Sequence, residues 1–197
     1  MKAISTKTIT RGAAMCNHPA SQQARHCIEA LYAKDICAQS MGIYIEHIDV
    51  GIARLSMIVR PNMLNGHQRC HGGILFSLAD TAFAYACNSE GLATVASGGG
   101  IDFIRPALLS DHLTATASVQ HQGQTTGLYD VGIINQEGKT VALFRGRAHR
   151  LCHSVLDHPP KNTQENYIQK NYIQKNYIQK NSLQENTLQE NKPGEKS

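Results

Sequence analysis

The chain reads as an α+β protein in which an antiparallel sheet wraps around one long central helix, and three observations predict it. Residues 72–89 are rich in helix formers and apolar almost all the way round, the pattern of a helix buried on every side. Most of the chain from residue 93 to 151 reads as strand, with turn residues between the runs. Within His112–Gln122, Leu113, Ala115, Ala117 and Val119 alternate with His112, Thr114, Thr116, Ser118 and Gln120, so the sheet has one wet face and one core face. A single apolar helix among about six such strands buries itself inside the curve of the sheet.

The elements follow in order. Ser21 is placed to cap a first helix whose apolar positions Cys27, Ile28, Leu31 and Tyr32 keep helical spacing; it runs to about Ser40, and Gly42 ends it. Two strands, Ile43–Asp49 and Ile52–Arg60, turn at Val50-Gly51 and are closed by Pro61. The loop from Asn62 to His71 leads into the apolar helix, which stops at Gly91. The later strands are Ala93–Ser97, Ile101–Arg105, His112–Gln122, Leu128–Asn135 and Lys139–Leu151, with Asn135-Gln-Glu-Gly138 turning between the last two.

The folded domain is therefore expected over residues 21–152, between two uncommitted ends. Residues 1–20 mix Thr, Lys, Arg and Ala without a continuous apolar core and read as a flexible segment, not a secretory signal. From Asn166 the chain repeats in fives, Asn-Tyr-Ile-Gln-Lys three times and then two Leu-Gln-Glu variants. A period of five forms neither a helical stripe nor a strand face, so residues 158–197 are expected to be a disordered tail.

Composition removes several classes of function. The net charge is +4, and from Lys161 onward six Lys face four Glu, so the tail supplies part of it. No Lys/Arg run or aromatic platform points to nucleic acid. No apolar run is long enough to span a membrane. The six cysteines show no C-x-x-C spacing; with no secretory signal they read as reduced thiols of a cytoplasmic protein. His67, Cys70 and His71 are crowded into five loop residues with no second Cys/His pair, so no metal site is expected.

One residue breaks the apolar helix. Asp80 sits in its middle, and an unpaired carboxylate costs several kcal/mol to desolvate, so it is either bonded for structure or kept for chemistry.

The run His71-Gly-Gly-Ile-Leu-Phe-Ser-Leu-Ala-Asp80, with Asn65-Gly66 before it and Ile101-Asp-Phe-Ile-Arg-Pro106 after it, resembles the hotdog-fold acyl-CoA thioesterases, and most of all their PaaI branch, linked to bacterial phenylacetate degradation. The likeness covers about residues 24–151 and extends to Asp80-Thr-Ala-Phe-Ala-Tyr-Ala-Cys-Asn-Ser89 and Val141-Ala-Leu-Phe-Arg145. It implies hydrolysis of aryl-acetyl and related CoA thioesters, with coenzyme A entering as part of the substrate and no other cofactor. It also implies that Asp80 acts as general base or as nucleophile, that the Gly72 N–H polarises the thioester carbonyl, and that Asn65 and His71 line the site.

Elementary physics supports those roles. Gly72 and Gly73 open the helix, so their N–H groups lack partners inside it and stand at the positive end of its dipole, a ready site for a developing oxyanion. Asp80 lies eight residues further on, about 12 Å along the axis and rotated by about 80°. One reacting carbon cannot touch both groups of one helix. The site is therefore expected to form in a homodimer, Asp80 of one subunit facing Gly72 of the other; the resemblance extends this to a homotetramer. In the last strand Arg145, Arg147 and His149 share a face, and with Arg105 these are candidates for the nucleotide end of CoA. Gly73 and Thr81 are expected to reach the substrate, Cys87 to be a small core residue, and Ser77 to bond a carbonyl of its own helix.

The Gly98-Gly-Gly100 run departs from the family pattern, weakening a strand and removing side-chain hydrogen bonds there. Lys34-Asp35 falls where an acyl-pocket residue is expected. Two other readings stay open at this point: a non-catalytic acyl-CoA-binding protein, and a hotdog dehydratase or hydratase, which would use a His base where this helix carries none.

Overall fold

Alternation of apolar and polar residues becomes a curved six-stranded antiparallel sheet in the computed structural model of this protein, which describes residues 19–157. Helices α1 (Pro19–Tyr32) and α2 (Ile36–Met41) precede strands β1 (Tyr44–Asp49) and β2 (Ile52–Ile58). A short 3-10 turn at Pro61–Met63 leads to helix α3 (Gly72–Asn88). Strands β3 (Leu92–Phe103), β4 (His112–Gln122), β5 (Thr126–Ile134) and β6 (Thr140–Ser154) complete the sheet in the order β1-β2-β4-β5-β6-β3. This is the hotdog arrangement that the resemblance implied. The expected flexible segment and repeat tail lie outside the described residues, apart from the last two residues of the former.

The core forms where α3 meets the inner face of the sheet. Leu75, Leu78, Ala79, Ala82, Phe83 and Ala86 of α3 are buried against Leu55 and Met57 of β2, Leu113, Ala115 and Ala117 of β4, and Tyr129, Val131 and Ile133 of β5. Phe83 meets Tyr129 edge-on at 5.5 Å between ring centres; burying one such side chain is worth about 1.5–3 kcal/mol. Val119, expected among the core residues of β4, is 36% exposed. The register of β4 against β5 shifts after it, and the side chain packs at the strand end beside Gly51 instead.

The expected single first helix is two. The chain breaks after Tyr32 because Asp35 stops it: Asp35 Oδ1 accepts the Ala38 N–H at 2.9 Å as the N-cap of α2, a role that Asp fills better than a mid-helix position. Gly42 ends α2 in the left-handed region at φ 68°, as expected of a C-terminal glycine. Ser21 caps nothing. The helix begins two residues earlier at Pro19, and the Ser21 hydroxyl donates to Asp49 Oδ1 at 2.8 Å.

The two expected strands around the glycine run are likewise one. Gly98, Gly99 and Gly100 stay within β3, paired with Arg147, Gly146 and Arg145 of β6. A Cβ on Gly99 would fall 2.7 Å from Phe144 Cζ, and one on Gly146 2.9 Å from both Phe144 and Phe83. The glycines make room for aromatic rings on the inner face, and the ladder bonds to β6 hold the strand in place of side-chain packing.

Strands β1 and β3 are the two edges of the sheet. β3 leaves Val95 and Phe103 exposed. On α3, Gly73 and Phe76 are exposed and Ser77, Asp80, Thr81 and Ala84 partly exposed, which makes a solvent-reached stripe in the single chain. Among the described residues no helix is long and apolar enough to cross a membrane.

Candidate active site

The loop before α3 is built to present the start of that helix. Asn65 Oδ1 accepts the backbone N–H groups of His67 (2.9 Å) and Arg69 (3.2 Å). The N–H of Cys70 donates to Ala107 O at 2.9 Å, and that of His71 to Met63 O at 2.8 Å. With its oxygen so engaged, the Asn65 carboxamide has its NH2 left to offer.

His71 is the N-cap of α3, and its side chain accepts the Gly73 N–H at 3.0 Å through Nδ1. The two glycine amides, expected to be equally open, therefore differ. The Gly73 N–H is taken; among the described residues the Gly72 N–H has no hydrogen-bond partner. Gly72 opens onto a hollow of about 410 Å³ whose walls include Asn65, Arg69, Phe103 and Arg105 and carry no carboxylate. Phe103 lies directly over the glycine: a Cβ there would meet its ring at 2.9 Å. A second hollow of about 400 Å³ is lined by His71, Gly73, Ile74 and Ser77, with Met63 and Leu64.

Asp80 stands further along the exposed stripe of α3, half-buried, and among the described residues its carboxylate has neither a hydrogen bond nor an ion pair. Burial pushes its carboxyl above the ordinary value, because desolvation penalises the charged form. The Thr81 hydroxyl donates to Ser77 O at 2.8 Å, and the Ser77 hydroxyl to Gly73 O at 2.9 Å, the own-helix bond expected of Ser77.

Arg145 and Arg147 are not brought to the Gly72 hollow. They line a separate hollow of about 660 Å³ on the outer face of the sheet, with Asp102, Thr116, Ser118 and Asp130. Arg145 grips Asp130 with two bonds, 2.6 and 2.8 Å, and these hold the Asp130 carboxyl below its usual range. His149 is exposed on the same strand. Of the residues singled out from sequence, Gly72, Asn65 and Arg105 share one hollow, His71 and Gly73 another, while Asp80 and Thr81 stand apart on the helix. Arg69 joins the first group without having been foreseen. Its only signal was a basic side chain in the loop that leads to a helix N-terminus.

Two buried thiols in or near the helix are poorly suited to nucleophilic chemistry. Cys87 is 1% exposed, and burial pushes its thiol up to about 12. Burial, helped by the Asp111 charge, pushes that of Cys70 up to about 11. Both stay protonated near neutral pH, where a thiolate would be needed. Among the described residues no three His, Cys, Asp or Glu side chains cluster as a metal site requires.

Known proteins match this chain closely. The family model of the thioesterase superfamily matches residues 67–142. The acyl-coenzyme A thioesterase PaaI of Escherichia coli K12 is 59% identical over 135 residues, which cover 68% of this chain and 94% of that one. The solved structure of E. coli PaaI, a protein of the phenylacetic acid degradation operon, superposes with a TM-score of 0.68 at 58% identity, covering 68% of this chain and 98% of that one. A hypothetical thioesterase protein of Streptococcus pneumoniae TIGR4 solved with coenzyme A is 32% identical with a TM-score of 0.54, covering 55% of this chain and 85% of that one. Fold, motif order and relatives agree: this chain belongs to the hotdog thioesterase superfamily, in its PaaI branch, and is a thioester hydrolase.

Proposed function

We propose that the substrates are acyl-CoAs, phenylacetyl-CoA, its hydroxylated forms and related aryl or medium-chain thioesters first among them, and that the active unit is a cytoplasmic homodimer with two shared sites. A relative named as an acyl-CoA thioesterase and a neighbour that binds coenzyme A support the substrate class. One observation carries the mechanism: α3 bears two unsatisfied groups of opposite character, the Gly72 N–H at its start and the Asp80 carboxylate eight residues later.

On one rigid helix they stand about 12 Å apart along the axis, too far to act on one carbon. Two antiparallel copies of α3, joined through the exposed stripe and the open β3 edge, bring Asp80 of one subunit opposite Gly72 of the partner subunit. The donor at Gly72 takes the charge that develops on the thioester oxygen, while Asp80 supplies the base or the nucleophile. His71 holds the helix entrance and leaves Gly72 as the open donor, and the Asn65 NH2 stands ready for a substrate oxygen. Arg69 and Arg105 give the hollow a cationic wall suited to CoA phosphates. Gly73 and Thr81 border the acyl path along the stripe. Arg145 and Arg147 reach CoA only where a further dimer seats its hollow against the outer face of this sheet, which is the tetramer we propose. The reading needs no metal and no cofactor apart from the CoA of the substrate.

Subunit complementation tests it. Asp80→Asn removes the acid. Gly72→Pro removes the N–H while keeping a residue favoured at the first helical position, and His71 already has the extended backbone, ψ 135°, that precedes a proline. Each variant alone is expected to be inactive toward a panel of acyl-CoAs, with thiol release as the readout. Mixed after unfolding and refolding, they are expected to recover about a quarter of wild-type activity, because half the dimers are mixed and each holds one intact site. No recovery would refute a shared site; hydration of an enoyl-CoA without thiol release would refute the chemistry.

A further inference from the structure

Asp80 has a neighbour on the exposed stripe whose chemistry is already set. Ser77 lies three residues earlier, one turn away on the same face of α3, and its hydroxyl proton is committed to Gly73 O at 2.9 Å. A hydroxyl carries one proton, so the outward side of Ser77 Oγ can only accept. The ionised Asp80 carboxylate is also an acceptor only, and it has no partner among the described residues. Side chains three apart on a helix have Cβ atoms about 5–6 Å from each other, a gap that one water spans with two hydrogen bonds of about 2.8 Å. Ser77 also opens into the hollow beside His71 and Gly73, so water has a way in.

We propose that Ser77 is a positioning residue for hydrolysis: it and Asp80 of the same subunit hold the attacking water between them, Ser77 Oγ accepting one O–H while Asp80 accepts the other. Both protons of the water then point at the protein, and an oxygen lone pair is left to face the thioester carbon. This rests on the shared-site reading above and extends it, because it makes water the nucleophile and Asp80 the base.

Each step balances. The water oxygen bonds the carbonyl carbon, its proton passes to Asp80, and the carbonyl π electrons move to the oxygen, which takes the Gly72 N–H of the partner subunit. Collapse of this tetrahedral adduct breaks the C–S bond, and the departing CoA thiolate takes the proton back from Asp80. The products are the free thiol and a carboxylic acid, which gives its proton to solvent.

Other hydroxyls are worse placed. Thr81 is likewise acceptor-only, but adjacent helix residues do not face each other. On β3 the run Gly98–Gly100 offers no side chain, and the Ser97 hydroxyl donates to Arg147 O at 3.1 Å within the sheet.

Three variants and one labelling measurement test the proposal on the full chain. Ser77→Ala is expected to lower kcat at least about tenfold at unchanged KM, the signature of a residue that acts on the reacting water and not on substrate binding. Ser77→Thr, whose hydroxyl bonds the same carbonyl of the preceding turn, is expected to restore most of it. In a single turnover of wild-type enzyme in heavy-oxygen water, the label is expected in the product carboxylate and not in Asp80, a readout that needs no variant to fold. The proposal is overturned if Ser77→Ala turns over at the wild-type rate, if Ser97→Ala carries the loss instead, or if the label enters Asp80. Should Asp80→Asn be inactive while Ser77→Ala is unaffected, the shared site stands and the Ser77 role falls. Should Asp80→Asn retain full turnover, both fall.

Discussion

His71 Nδ1 accepts the Gly73 N–H at 3.0 Å, and this bond decides which amide at the mouth of α3 stays open. An imidazole nitrogen that accepts cannot also carry the proton, so the neutral ring holds its hydrogen on Nε2. The second glycine amide is spent on the cap, and the first is left facing the hollow with Asn65, Arg69 and Arg105. One side chain therefore both secures the helix and singles out the donor.

That dual role separates in mutants. His71→Ala is expected to cost about 1 kcal/mol of stability through the lost cap and to lower kcat/KM, since two competing amides replace one fixed donor. Asn is a good N-cap, so His71→Asn is expected to restore most of the stability measured by thermal or urea unfolding. If activity returned fully with it, the imidazole would have no part beyond capping.

Gly72 leaves room for a side chain as well as presenting an open amide. A Cβ there would meet Phe103 Cζ at 2.9 Å, and the Phe103 side chain, 55% exposed, is free to swing away. Gly72→Ala keeps the N–H but displaces the ring that walls the hollow, and a misplacement on the ångström scale costs about 10-fold or more in rate. The expected result is a fall in kcat/KM with little change in thermal stability. Adding Phe103→Leu, which withdraws the ring edge, is expected to recover part of the loss; a double variant no better than the single would show that the clash is not the cause.

How far the site was legible follows from where its determinants lie. The pairing of a helix-opening glycine with an internal acid is a local pattern, so Gly72 and Asp80 stand out from spacing as candidates, while the roles given to them and to His71 come from the family resemblance. The inequality of Gly72 and Gly73 was not legible, because it depends on the rotamer of His71. Arg69 was missed because its place is set by the bond from Cys70 to Ala107, 37 residues apart in sequence. The helix break at Asp35 depends on a local cap and on a partner in α3. The continuity of β3 through Gly98–Gly100 escaped because the ladder partners in β6, and the Phe144 ring that fills the room Gly99 leaves, lie on another element. Period and composition report what a segment does by itself; these features belong to pairs of segments.

In the proposed mechanism Asp80 links activity to stability in opposite directions. Burial raises its carboxyl above the ordinary value, so between the ordinary and the raised value the folded protein binds more protons than the unfolded chain. Stability then falls as pH rises through that window, and at neutral pH the charged carboxylate is a net cost. Asp80→Asn is expected to lower kcat by about 10² or more, in the range of a lost general base, and to raise the melting temperature at pH 7. The gain should shrink as pH is lowered toward the point where Asp80 protonates. The acid limb of the wild-type rate profile should have its midpoint above the ordinary Asp value. An Asp80→Asn protein less stable than wild type at pH 7 would mean that the acid has a structural partner.

Asp35 carries two bonds at once, and their removal should not be symmetric. Its Oδ1 caps α2 through the Ala38 N–H at 2.9 Å, and its Oδ2 accepts the Tyr85 hydroxyl at 3.0 Å from the central helix. Tyr85 is 1% exposed, and burial first, then the Asp35 charge, push its phenol far above the ordinary value, so it remains a donor throughout the physiological range. Asp35→Ala strands that hydroxyl in the core, at about 1–3 kcal/mol, and removes a cap worth about 1 kcal/mol more. Tyr85→Phe removes the donor and leaves the half-exposed carboxylate to water and to its cap, so its cost should stay near about 1 kcal/mol. Urea unfolding of the two single variants and the double variant closes the cycle. The double is expected to be less destabilised than the sum of the singles, because with Tyr85 gone Asp35→Ala strands nothing. Strict additivity would show that the break between α1 and α2 is held by the cap alone and that α3 has no part in it.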